Sequence, residues 1–181
     1  MLQYKLTETS SELQGILSLQ KANLSSEISE MERTEQGFVT VKHQLDQLLA
    51  MHQIEPHVIA IDGDLVIGYI LAMTKACRDL VPVLIPMFEQ FDQVKYSGKI
   101  VAEFDYMVIG QICVDKRYRG QGIFDGMYEC YRNAFSNCYD FAITEIAISN
   151  FRSIKAHQRV GFRIIHEFSD FTQDWVIVAW N

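Results

Sequence analysis

The chain has 181 residues, long enough for one domain (1–181) with a substantial core and short for two. Hydrophobic residues make up 49% and charged residues 22%, ordinary globular usage rather than the composition of a disordered chain. A formal net charge of -7 disfavours nucleic-acid phosphates as partners, and no apolar run approaches the ~20 residues of a membrane helix.

Residues 2–7 form a candidate short strand. Thr9 and Glu12 have capping-box spacing, and Leu13, Ile16, Leu17 and Leu24 follow at helical intervals. Residues 25–36 are polar and acidic and read as a surface loop or short helix. Val41, Leu45, Leu48 and Leu49 mark a second amphipathic helix over about 39–51, which Pro56 ends. HVIAI (57–61) and LVIGYILAM (65–73) flank Asp62-Gly63-Asp64, an antiparallel hairpin signal. Residues 80–96 read as a helix that Pro86 shortens or kinks. Residues 100–114 read as a long strand. The loop DKRYRGQG (115–122) leads into a helix with Ile123, Met127, Cys130, Tyr131, Ala134 and Phe135 on one face. FAITEIAIS (141–149) is a strand. Asn150 opens a helix that Gly161 closes, and FRIIHEF (162–168) with DWVIVAW (174–180) forms a final hairpin. The order β-α-α-β-β-α-β-α-β-α-β-β predicts an α/β or α+β fold, a central mixed sheet covered by helices.

Between a strand and a helix, Arg117-Tyr118-Arg119-Gly120-Gln121-Gly122 has the makings of an anion cradle. The first N–H groups of a helix lack internal partners, glycine admits close approach to the backbone, and arginines add charged donors. The Walker spacing is absent. A dinucleotide fingerprint fails because its third position is Asp125, with Gly126 one residue late. The segment that fits is I-x-V-x-x-x-Y-R-G-x-G-I, carried by Ile112, Val114, Tyr118, Arg119, Gly120, Gly122 and Ile123. Here the sequence resembles the GNAT superfamily of acyl-CoA N-acyltransferases. A second GNAT pattern, N-x-x-[AS]-x-x-x-[YH]-x-x-x-G-F, matches at Asn150, Ser153, His157, Gly161 and Phe162. The resemblance covers residues 100–168 well and the N-terminal part by element order.

The resemblance implies a mostly antiparallel sheet of about seven strands with one splayed parallel pair. The pantetheine arm of acetyl-CoA would lie in the splay, its pyrophosphate on the loop. Acetyl-CoA is the implied co-substrate, with no metal. Ile112, Cys113, Val114, Arg117, Tyr118, Arg119, Gly120, Gln121, Gly122, Ile123, Asn150, Ser153 and His157 are the expected binding residues. The implied reaction is direct attack of a neutral amine on the thioester; the alternative is a CoA-binding sensor or assembly module without catalysis. A general base is required, and Glu103 and Asp105 are the candidates, against the plainer reading of solvated acids. Backbone N–H near Gln111 to Val114 is the expected oxyanion donor. His157 stands where many relatives carry Tyr; it is either the proton donor to the leaving thiolate or a structural histidine. Cys113, in an apolar strand, is rejected as a nucleophile. The acids Glu27, Glu30, Glu32, Glu35, Asp170 and Asp174 could meet a cationic acceptor or simply face solvent. Trp175 and Trp180 pack the last strand or contribute to a homodimer. Four cysteines without a C-x-x-C pair (Cys77, Cys113, Cys130, Cys138) and no signal-peptide stretch in the opening MLQYKLTETSSEL suit a cytoplasmic protein.

Overall fold

The computed structural model describes residues 1–24 and 39–181; the acids at 27, 30, 32 and 35 lie outside the described residues. Strand β1 (Leu2–Leu6) is followed by α1 (Ser10–Lys21), where Thr9 and Glu12 form the expected capping box. Helix α2 spans Leu45–Ile54 rather than 39–51. Residues 41–43 stay outside the helix because α1 and the sheet claim their backbone groups: His43 N–H donates to Gln20 Oε1 (2.8 Å), and the Val41 carbonyl accepts from Gln111 (2.8 Å). Strands β2 (Val58–Asp62) and β3 (Leu65–Met73) make the predicted hairpin.

The expected helix over 80–96 is broken into smaller pieces. Two 3₁₀ turns, Lys75–Leu80 and Pro82–Leu84, precede α3 (Ile85–Phe91). Pro86 falls in the first turn of α3, where a missing N–H costs no internal hydrogen bond, so it starts the helix instead of kinking it. A two-residue hairpin follows, β4 (Lys95–Tyr96) and β5 (Lys99–Ile100). The long strand begins late, at Tyr106, because Val101–Glu103 is a 3₁₀ turn held by the Glu103 carboxylate on Ile100 N–H (3.1 Å). Then come β6 (Tyr106–Val114), α4 (Ile123–Phe135), β7 (Phe141–Ala147), α5 (Phe151–Arg159), β8 (Arg163–Ser169) and β9 (Asp174–Trp180).

Seven strands form one sheet in the order β1-β2-β3-β6-β7-β9-β8, antiparallel except for the β6–β7 pair. Alternation along the strands sorts the apolar residues onto two faces. Leu13, Ile16, Leu48, Met51, Phe88 and Phe91 cover one face, against Tyr69, Leu71 and Val108. Ile123, Met127, Tyr128 and Tyr131 of α4, with Ile154 of α5, cover the other. Trp180 is buried there, stacked on Phe162 at 5.3 Å. Among the described residues no helix is long and apolar enough to cross a membrane.

Candidate active site

Strands β6 and β7 run parallel for three register pairs, Tyr106 with Phe141, Met107 with Ala142 and Val108 with Ile143, and then part. The Thr144 hydroxyl closes the ladder by donating to the Ile109 carbonyl (2.8 Å). Each arm is held open by its outer neighbour. β7 stays paired with β9 through Ala147 opposite Trp175, and β6 stays paired with β3 through Val114 opposite Gly68. A bulge at Gly110 bends β6 where the parting begins: Leu71 faces Gln111, whereas Ala72 faces Ile109.

The glycine loop sits at the mouth of this gap. Gly120 and Gly122 have φ of +75° and +79°, a region L side chains rarely adopt, and a Cβ at either would meet no atom within 4 Å. The loop therefore presents open backbone, and Gly122 caps α4 without a side chain over the helix terminus. A cleft of about 580 Å³ opens here, lined by Ile112, Cys113, Val114, Tyr118, Arg119, Gly120, Gly122, Ile123, Asn150 and Ser153 of the predicted set. Arg119 spans its wall, donating to the Val114 carbonyl (3.0 Å) and to Asn23 Oδ1 (2.7 Å). Arg117 and Gln121 do not line it. Arg117 is clamped on Asp115 (2.8 and 3.1 Å), and Gln121 donates to the Arg117 carbonyl (2.9 Å); both hold the loop's shape. The Asn150 side chain caps α5 by accepting Ser153 N–H (3.4 Å), and Gly161 at φ +109° follows the helix as expected.

A second cleft, about 90 Å³, continues into the gap and shares Ile112, Asn150 and Ser153 with the first. Its lining comes from both faces of the sheet. Gln111, Glu145 and Trp175 belong to the α1/α2 face, whereas Ile112, Ile146 and His157 belong to the α4/α5 face. Gln111 is fixed by a buried network: its Oε1 accepts from Tyr69 Oη (2.5 Å) and Gln20 Nε2 (2.8 Å), and its amide donates to Val41. Glu145 is the carboxyl in this lining. Burial, aided by the nearby negative charge of Asp170, pushes its carboxyl up to about 7. Asp170 is itself held at about 2 by the Thr172 hydroxyl, by Gln173 and Thr172 N–H groups and by the Trp175 indole (3.0 Å).

His157 lines the same cleft as a neutral ring. Burial lowers its pKa to about 4, its Nδ1 bonds the Ser153 carbonyl (2.8 Å), and its Nε2 is buried among Phe124, Tyr128 and Phe162 without a hydrogen-bond partner. The Nδ1–H is thus committed to the helix backbone, which leaves no proton to offer a thiolate at neutral pH. Glu103 lines neither cleft; it is exposed and spends its carboxylate on the 3₁₀ turn. Asp105 is also exposed, 3.9 Å from Lys75. The carboxyl that lines the cleft is Glu145, which the sequence reading passed over. Its signal was present, since Glu145 is the sole charged residue in the strand FAITEIA. Burial pushes the Cys113 thiol up to about 12, so that group stays protonated and inert.

Solved structures share this architecture. A GNAT-family acetyltransferase from Streptococcus agalactiae superposes with a TM-score of 0.67 at 11% identity, over 99% of this chain and 94% of that one. The ribosomal-protein-S18-alanine N-acetyltransferase of Escherichia coli gives 0.62 at 14% identity, over 99% and 93%. The yncA protein of Salmonella typhimurium, solved with its cofactor acetyl-CoA, gives 0.61 at 13% identity, over 99% and 93%. No curated protein matches the chain in sequence. The parted strands and their glycine loop fall inside residues 22–162, the stretch matched by the acetyltransferase (GNAT) family model, and the chain belongs to that family.

Proposed function

We propose that the protein is an N-acetyltransferase that moves the acetyl group of acetyl-CoA to a primary amine, on a small molecule or a protein, by direct attack in a ternary complex. The observation that carries this reading is the small cleft that pierces the sheet, with the glycine-loop cleft on one side and the Glu145 carboxyl on the other. Ile112, Val114 and the backbone of Gly120 to Gly122 would hold the donor, with Asn150 and Ser153 beside its thioester end. Half of Glu145 is ionised near pH 7, so it can take a proton from an arriving ammonium, directly or through one water. The freed amine attacks the thioester carbon, and N–H groups on the unpaired edge of β6 receive the developing oxyanion. The C–S bond then breaks, the amide keeps the acetyl group, and the proton shed by the attacking nitrogen reaches the departing thiolate through water rather than from His157.

A donor with acetyl-CoA's shape is supported by the relative solved with it. Four free cysteines suit a reducing, cytoplasmic setting. The rival reading, a CoA-binding module without turnover, rests on His157 in place of Tyr. Thiol release from acetyl-CoA against a panel of amines separates the two. Turnover with at least one amine, lost in Gly120→Glu and in Glu145→Gln, supports the enzyme. Tight CoA binding with no thiol release from any acceptor would leave the sensor.

A further inference from the structure

At the closed end of the β6–β7 pair, away from the gap, a cavity of about 300 Å³ lies between the C-terminal half of α4 and the sheet. Met107 and Ala142, which line it, are register partners in the parallel ladder, and Trp180 lies opposite Ala142 on β9. Phe135 and Phe141 add ring surface, and Tyr131 adds a buried hydroxyl without a hydrogen-bond partner among the described residues. Two opposite charges share this apolar lining. The Arg132 guanidinium lies over the Trp180 ring, 4.3 Å from its centre. Stacking holds the guanidinium by its face and leaves its N–H edges, which grip a carboxylate in a forked pair, for another partner. Asp140 accepts Asp105 N–H on Oδ2 (2.9 Å), and its other oxygen has no hydrogen bond among the described residues. Among the described residues, neither charge forms an ion pair with the other or with any third group.

A simple acid in this cavity gains the guanidinium but meets the Asp140 carboxylate; a simple amine gains the carboxylate but meets the guanidinium. A molecule that carries both charges on an apolar body satisfies the whole lining. We propose that the cavity binds a free α-amino acid with a large apolar side chain, its carboxylate on the edge of Arg132, its ammonium on Asp140 and its side chain among Phe135, Phe141 and Trp180. A volume of about 300 Å³ is at the lower end of small-molecule sites and suits one such molecule. The amine held there is not the acceptor of the reaction. Asp140 precedes β7, and the three-pair ladder from Tyr106 to Val108 separates it from Glu145 and the gap.

Isothermal titration of the full chain with L-phenylalanine tests the site. Phenylalanine should bind saturably, with the same affinity in the presence and absence of CoA. Phenylpropanoate, which lacks the ammonium, and phenethylamine, which lacks the carboxylate, should each bind roughly tenfold or more weakly, the scale of one lost charged hydrogen-bond pair. Arg132→Gln and Asp140→Asn should each weaken phenylalanine by a similar factor. Both side chains are exposed, the amide of Asp140→Asn still accepts from Asp105 N–H, and unaltered thermal melting verifies the fold. Glu145→Gln should leave the affinity unchanged. If phenylalanine, leucine and tryptophan all fail to bind the folded protein at millimolar concentration, the site is overturned. Wild-type affinity in Arg132→Gln and Asp140→Asn overturns it too, as does equal affinity for phenylpropanoate or phenethylamine. Binding lost in Glu145→Gln but kept in Arg132→Gln puts the amino acid in the gap and refutes the separate site, while leaving the acetyl-transfer reading intact.

Discussion

Replacing Glu145 by Gln separates the chemistry of the gap from its architecture, because one substitution moves activity and stability in opposite directions. The carboxyl rises from an ordinary 4.5 to about 7, chiefly through burial. At about 1.4 kcal/mol per unit, ionising it inside the fold costs up to about 3 kcal/mol, less whatever solvent reaches a half-buried group. The folded value lies above the unfolded one, so the contribution is fully present below about pH 4.5 and is lost as pH climbs through 7. Glu145→Gln removes that loss. Its melting temperature should match wild type near pH 4 and exceed it at pH 8 by several degrees, on the scale of 2–4 °C per kcal/mol for a domain of this size. The rate moves the other way. In the wild type kcat/KM should rise about tenfold per pH unit below 7 and level off above it; the variant should lose about 10²–10⁴ in rate together with that limb. Differential scanning fluorimetry across pH and a thiol-release assay on the same preparations read both effects. A wild-type profile flat from pH 6 to 8, or a variant that keeps the limb, refutes the assignment of Glu145 as base.

Asp170→Asn removes a negative charge that helps raise Glu145, so the acid limb of kcat/KM should move to lower pH, which a pH–rate profile detects. His43, His57 and His157 are held neutral by burial, with pKa values lowered to about 4, 3 and 4. Their folded values lie below the unfolded 6.5, so the stability they contribute is full above pH 6.5 and fades as pH falls toward 4. Urea midpoints should therefore drop steeply between pH 6.5 and 4, opposite in sign to the Glu145 effect. Gln111→Leu strands the Tyr69 hydroxyl and the Val41 carbonyl and takes one of two partners from the Gln20 amide, and should cost about 2–4 kcal/mol in chemical denaturation. His157→Ala opens a void among three aromatic rings and should destabilise by about 3 kcal/mol while leaving the limb near pH 7 in place.

The glycine-loop half of the candidate site was legible in the sequence because it is made of local backbone geometry. Gly120 and Gly122 must be glycine for the loop to take positive φ, Asn150 caps a helix three residues ahead, and Gly161 leaves it. Such demands act over a few residues and leave a spaced signature. Hairpins and capping boxes were readable for the same reason. The half around Glu145 is made of long-range relations. Gln111 is fixed by Gln20, 91 residues away in sequence, and by Tyr69, 42 away. Asp170 reaches Glu145 through a turn that belongs to a different hairpin. Glu103 was named and Glu145 was not, because the lone charge in FAITEIA signals a carboxyl within a buried strand but not that this strand borders the gap. The run at 41–43 was misread as helix because its hydrogen bonds go to a side chain of α1 and one of β6, not along the chain.

The two faces of the sheet show what the parted strands contribute to the proposed reaction. An unbroken ladder between β6 and β7 would seal the α4/α5 face, where the glycine loop lies, from the α1/α2 face, where Glu145 and Trp175 lie. Parting them after Val108 gives a passage without removing any strand from the sheet, because β3 and β9 keep pairing with the two arms. The same parting leaves Glu145 at the edge of the gap, shielded enough for its carboxyl to reach about 7 and exposed enough to meet a substrate. A donor on one side and an acceptor on the other can then react through the opening while both are bound. Covalent transfer by way of the enzyme would need an activated nucleophile at the gap, and Cys113, with its thiol at about 12, is not one. Initial-rate patterns should accordingly be sequential, with intersecting double-reciprocal lines for acetyl-CoA and amine. Parallel lines, or acetyl label retained on the isolated protein, would break the link between the parted sheet and direct attack.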